Sequence, residues 1–130
     1  LLAANQIDYT RFFRKLCAAA GDPAGQPGLE SCFEEPAAFR AWADTWRGRL
    51  AVEDLDPAAR AAAMRRANPA FIPRNHRVQE AIDAAIAGDL RPFEALVEVL
   101  ARPCDDQPDF EHLAEPPRPE QRVLETFCGT

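Results

Sequence analysis

The sequence predicts an all-α protein of about five helices, with an αα-hairpin and an acidic, proline-rich C-terminal tail. Three observations predict this class. Apolar residues recur at three- and four-residue steps in one segment after another, which draws the single apolar face of an amphipathic helix. Between these segments stand helix-starting and helix-stopping residues: Asp8, Asp56-Pro57, Asn68-Pro69, Gly88-Asp89 and Pro103. At the centre, Asn68-Pro69-Ala70-Phe71-Ile72-Pro73-Arg74-Asn75 carries two prolines. Each lacks an N–H and pushes the residue before it out of the α region, so no helix runs through. The stretch reads as a straight crossover with Phe71 and Ile72 buried.

The first helix starts at an Asp8 cap and runs to about Ala20, with Gly21 placed to end it. Tyr9, Phe12, Phe13, Leu16, Cys17 and Ala20 share its apolar face. Residues 21–35 read as a long loop rich in Gly and Pro that holds Cys32. Pro36 opens a second helix to about Val52, on which Phe39, Trp42, Ala43, Trp46 and Leu50 line up. The two tryptophans continue that stripe and read as packing rather than as a ligand platform. Asp56-Pro57 caps a short Ala-rich third helix, which Asn68-Pro69 ends.

Asn75 is expected to cap a fourth helix to about Ala87, with Val78, Ala81, Ile82, Ala85 and Ile86 buried. Gly88 supplies a left-handed stop, and Asp89 caps a fifth helix in which Leu90, Phe93, Leu96, Val97 and Leu100 pack inward. So short a connection makes the fourth and fifth helices an αα-hairpin. From Cys104 onward acidic residues and prolines dominate, and the last apolar cluster is Val123, Leu124 and Phe127. The helical domain is therefore placed at residues 1–103, and a tail at 104–130 that lies over it or over a partner.

Net charge is −6 over 130 residues, which argues against a nucleic-acid surface. The excess is uneven. Leu1–Asn68 carries nine acids and nine bases, whereas Pro69–Thr130 carries twelve acids against six Arg. No run is long and apolar enough to span a bilayer, and Leu1-Leu2-Ala3-Ala4 lacks the basic leader of a signal peptide. The opening on Leu1 without Met reads as a piece of a longer protein. The four cysteines, Cys17, Cys32, Cys104 and Cys128, form no CxxC pair and match no common zinc spacing, so reduced thiols in a cytoplasm are expected.

Few residues suggest chemistry. Glycines 21, 25 and 28 lack the spacing and the following Lys of a phosphate loop. His76 and His112 have no nucleophile motif beside them and read as surface or hydrogen-bonded residues. Asp105-Asp106 has the oxygens for a hard cation but no loop motif, and reads as a solvated turn. Arg65, Arg66, Arg74 and Arg77 surround the central stretch, where salt bridges to the acidic tail account for them. Cys128 differs by position: a thiol near the chain end reaches another thiol without moving a core, which makes it the redox candidate.

Several strings, taken in order, resemble the C-terminal portion of the selenoprotein O family. They are Asp8-Tyr9-Thr10 followed by Phe12-Phe13-Arg14-Lys15-Leu16; Trp42, Trp46 and Arg49-Leu50; and Met64-Arg65 leading to Asn68-Pro69. Arg74-Asn75, Ala81-Ile82 with Gly88-Asp89, and Arg102-Pro103 with Asp106-Gln107-Pro108 complete the series. Pro73 and His76 stand where the family is usually aliphatic and aromatic.

The resemblance implies a kinase-like protein adenylyltransferase (AMPylator) that moves AMP from ATP, with Mg2+, to hydroxyl side chains of protein substrates. It places the ATP and metal residues in an upstream kinase-like region, so no catalytic, cofactor-binding or metal residue is expected here. It implies that this chain braces that region, its own partner, and that Cys128 is a redox-active thiol. No nucleic acid or membrane is expected as a partner, and a bacterial cytoplasm is the expected location. Two other readings of the residues stand beside it: a helical protein–protein interaction module, and a stand-alone thiol redox protein.

Overall fold

The computed structural model describes residues 1–22 and 27–124. Among these residues the structure is helical, without strands, in agreement with the all-α class. Its helices are α1 (Tyr9–Gly21), α2 (Pro27–Glu30), α3 (Pro36–Ala51), α4 (Pro57–Ala67), α5 (Asn75–Ile86) and α6 (Arg91–Leu100). Short 3-10 turns lie at Ala3–Asn5, Pro108–Ala114 and Pro119–Gln121. The chain divides into two compact units, Leu1–Pro69 and Ala70–Thr130.

In the first unit α1 begins where its sequence says it should. The Asp8 carboxylate accepts the Arg11 N–H at 2.9 Å, and in the same way Asp56 accepts the Ala59 N–H to start α4. Each cap satisfies one of the donors that a helix start leaves open. The apolar stripe of α1 buries Phe12, Leu16 and Cys17. Phe12 meets Phe33 and Trp42 edge-on, and Phe39 stacks on Phe33 with centroids 4.9 Å apart. Phe39 and Ala43 are fully buried, whereas Trp42 and Trp46 lie half-exposed at the margin, stacked on each other at 5.7 Å.

The segment read as a loop contributes more than the sequence suggested. It contains α2, and its Leu29 and Phe33 are buried in the core. Two apolar residues amid Gly, Pro and Glu make no periodic signal, so only packing reveals them.

Gly21 also differs from expectation. It does not end α1 in a left-handed turn. It lies inside the helix, and Asp22 follows as the C-cap. A Cβ at Gly21 would lie 2.9 Å from the Ala61 Cβ and 3.5 Å from the Pro57 carbonyl oxygen, so the missing side chain is what lets α1 approach α4. Arg60 of α4 is buried and ties the α3–α4 connection. Its guanidinium pairs with Glu53 at 3.0 Å and donates to the Leu50 and Leu55 carbonyls at 3.1 and 3.2 Å.

The second unit is built on the α5–α6 hairpin. Gly88 has φ +86°, the left-handed stop expected between the two helices. Asn75 is not the cap of α5 but its first residue. Arg74 occupies the cap position without a capping side-chain bond. Asp89 is not the cap of α6 either: Leu90 holds that position without a capping side-chain bond, while Asp89 accepts the Arg91 N–H at 3.0 Å and pairs with the Arg91 guanidinium at 2.7 Å. These bonds hold its carboxyl at a pKa of about 2.

The core of this unit is Phe71, Ala81, Leu96, Val99 and Leu113. Ile72 is only half-buried. Ile82, Ile86, Leu90, Phe93 and Val97, expected inside, are exposed. Two helices alone cannot cover both of their wide apolar stripes. His76, read as a surface or hydrogen-bonded residue, is buried. The compact units part at residue 69. In the second, Leu113, with Phe110 beside it, packs into the hairpin's core.

Candidate functional site

The central stretch is held by backbone chemistry. Ala70 and Phe71 both donate their N–H to the Pro103 carbonyl, at 2.7 and 3.1 Å. Pro103 follows the end of α6, where helix carbonyls lack intrahelical donors. Gln107 supplies more: its side-chain amide donates to the Val99 and Arg102 carbonyls at 3.0 and 2.9 Å. In the first unit Arg14 performs the same service for α4. Its guanidinium donates to the Arg65 and Asn68 carbonyls at 3.2 and 3.1 Å, and the Asn68 amide donates to Met64 at 2.8 Å. Arg14, Asn68 and Gln107, which carry part of the family signature, therefore close helix ends, while the Pro103 carbonyl anchors the central stretch.

The four arginines around the stretch are divided. Arg65 and Arg66 belong to the first unit, Arg74 and Arg77 to the second. Arg77 pairs with Glu80 at 2.8 Å, donates to the His112 carbonyl at 2.8 Å, and lies 4.0 Å from Glu115. It thus makes the predicted link to the acidic segment. Arg74 is buried beside it.

His76, read from the sequence as a surface or hydrogen-bonded residue, is 3% exposed and its Nε2 has no hydrogen-bond partner. Burial lowers its pKa from the ordinary value, Arg77 and Arg74 add to that, and Glu80 opposes it. A signal existed: His76 replaces what the resemblance makes an aromatic position, and such a position is apolar by habit.

Of the cysteines, Cys17 is buried with its thiol 3.0 Å from the Phe13 carbonyl, and burial pushes its pKa up. Cys32 is half-buried, with the Lys15 ammonium 3.3 Å from its sulfur. Cys104 is half-buried, and Cys128, the redox candidate, lies outside the described residues. Asp105 faces Arg102 at 3.9 Å. Among the described residues no three His, Cys, Asp or Glu side chains converge as metal ligands. No helix among them is long and apolar enough to cross a membrane.

Residues 1–101 match the family "Protein adenylyltransferase SelO". The chain is 55% identical over 131 residues to a protein nucleotidyltransferase YdiU of Rhizobium etli, a match covering 100% of this chain and 26% of that protein. It is 51% identical over 129 residues to the protein nucleotidyltransferase YdiU of Nitrobacter hamburgensis, covering 99% of this chain and 26% of that one. The corresponding protein of Bradyrhizobium diazoefficiens is 54% identical over 130 residues, again covering 99% and 26%. The chain spans about a quarter of the length of these curated relatives. With more than half of its residues matched to that family, the chain belongs to the SelO family of protein adenylyltransferases.

Proposed function

We propose that this chain is the non-catalytic helical part of a cytoplasmic protein adenylyltransferase, which transfers AMP from ATP to hydroxyl side chains of proteins. The observation that carries the reading is the family match over residues 1–101 in a chain spanning a quarter of its relatives. ATP and Mg2+ would be held by residues outside this chain. Its own contribution is to brace the catalytic region, which is its partner, and to carry Cys128 as a redox-active thiol. The helix-end closures at Arg14, Asn68 and Gln107, and the Pro103 carbonyl that anchors the central stretch, support a bracing role, because they stiffen the chain without presenting a reactive group.

The test uses three proteins: the chain alone, the whole R. etli relative, and a chimera in which this chain replaces the matched quarter of that relative. ATP labelled at its α-phosphate is supplied with Mg2+, and label on protein is measured. Transfer by the relative and the chimera but not by the chain alone is expected. Label transferred by the chain alone would overturn the non-catalytic assignment, and a folded but inert chimera would overturn the family role. For Cys128, peptide mass spectrometry of the chimera without reductant should find a disulfide at this residue that disappears on reduction. A thiol equally alkylated before and after reduction would remove the redox role.

A further inference from the structure

Lys15 and Cys32 bring two reactive groups together across two elements of the first unit. The Lys15 ammonium, on α1, lies 3.3 Å from the Cys32 sulfur, which follows α2. Both groups turn to one acceptor. The ammonium donates to the Gly28 carbonyl at 3.4 Å, and the thiol donates to the same oxygen at 3.5 Å. The pair is open to small reagents, since Lys15 is exposed and Cys32 half-buried. Cys17 differs on each count, being buried with its thiol on the Phe13 carbonyl.

The residue type at position 15 carries the argument further. Of the fifteen Lys and Arg residues it is the one Lys. A guanidinium stays charged in proteins, whereas an amine that loses its proton is a nucleophile. The chain's single side-chain amine therefore stands against a sulfur that a peroxide can oxidise. A cysteine sulfenic acid condenses with a nitrogen held beside it. At 3.3 Å no other atom fits between the two groups, and the flexible Lys stem can close the remaining gap.

We propose that Lys15 and Cys32 form a reversible sulfur–nitrogen cross-link when the protein meets hydrogen peroxide. In the first step the Cys32 sulfur attacks the peroxide. The S–O bond forms, the O–O bond breaks, and the departing oxygen leaves as water with the thiol proton. Sulfur is oxidised by two electrons and the peroxide is reduced by two. In the second step Lys15, having released a proton to solvent, attacks that sulfur through Nζ. The S–N bond forms, the S–O bond breaks, and the hydroxyl leaves as a second water with one amine hydrogen. Two equivalents of a thiol reductant restore Lys15 and Cys32 and become a disulfide. The cross-link fastens onto α1 the segment that supplies Leu29 and Phe33 to the core, joining positions 17 apart in the sequence. It goes beyond the functional reading above and stands without it.

The test is peptide mass spectrometry of the chain after treatment with hydrogen peroxide, blocking of free thiols and cleavage at acidic residues. Circular dichroism checks that the chain is folded; if it does not fold alone, the chimera is oxidised instead. Expected is a pair of peptides joined through Lys15 and Cys32. Its mass is the sum of the two less two hydrogens, and it separates on reduction. Lys15→Arg keeps the positive charge at an exposed site but cannot make the bond. This variant should give no cross-link, and its Cys32 should run on to sulfinic and sulfonic acid. Unfolding in urea before oxidation should lower the cross-link yield by about tenfold or more, because the fold supplies the proximity. Wild-type Cys32 driven to sulfinic acid with Lys15 unmodified would overturn the proposal. So would Cys32 in a disulfide with another cysteine, or the same Cys32 products in Lys15→Arg as in the wild type. Equal yields from folded and urea-unfolded protein would overturn it too.

Discussion

Gly21 and Ala61 stand so close that a Cβ on the glycine would lie 2.9 Å from the Cβ of the alanine. Real side chains do not share such a distance, so one helix would have to move. By helix propensity alone Gly21→Ala should stabilise α1 by about 1 kcal/mol. Overpacking a close helix contact costs typically about 1–3 kcal/mol, and the nearby Pro57 backbone leaves little room to yield. The substitution is therefore expected to lower the melting temperature. A rise, as at an open helical position, would show that α1 and α4 are not in this contact.

Phe71 is 4% exposed and its N–H is held by the Pro103 carbonyl. Phe71→Ala should cost about 3–5 kcal/mol in urea unfolding, because the stiffened backbone keeps the site from collapsing around the cavity. Ile72→Ala, at a half-buried neighbour, should cost clearly less. Equal losses at the two positions would contradict the observed orientation of the crossover.

His76 should make stability depend on pH. In the unfolded chain its imidazole takes a proton at the ordinary value near 6.5, while in the fold burial lowers its affinity for that proton. The unfolded state therefore binds more protons as pH falls. On this account stability is full above about pH 6.5 and declines as pH drops from there through the lower folded value. Urea midpoints compared between about pH 7.5 and about pH 5 should show the decline, and His76→Phe should flatten it. The same slope in His76→Phe would assign the effect to another group.

Gly88 tests the hairpin turn without a packing complication. Its φ of +86° is unfavourable for other residues, yet nothing lies within 4 Å of where a Cβ would be. Gly88→Ala should cost roughly 1–2 kcal/mol from backbone strain alone. Gly88→Asn should cost less, since Asn tolerates the left-handed region better. If Ala and Asn are equally harmless in thermal unfolding, the turn is not left-handed in solution.

The sequence by itself determined the elements. Asp8, Asp56, Pro36, Pro57, Asn68-Pro69 and Gly88 act through their own backbone and nearest neighbours, so helix starts, helix stops and the hairpin turn were legible as local chemistry. The strings shared with the family were legible too, although their role as closures of helix ends was not. Tertiary structure decided which apolar faces meet. Ile82, Ile86, Phe93 and Val97 have the same periodicity as Ala81, Leu96 and Val99, yet the first set is exposed and the second buried. Periodicity states that a face wants cover without stating what covers it. Likewise Gly21 as a contact rather than a stop, Leu29 and Phe33 inside a Gly- and Pro-rich segment, and a neutral His76 in a core all depend on residues distant in the chain. Those distances close only when the helices pack.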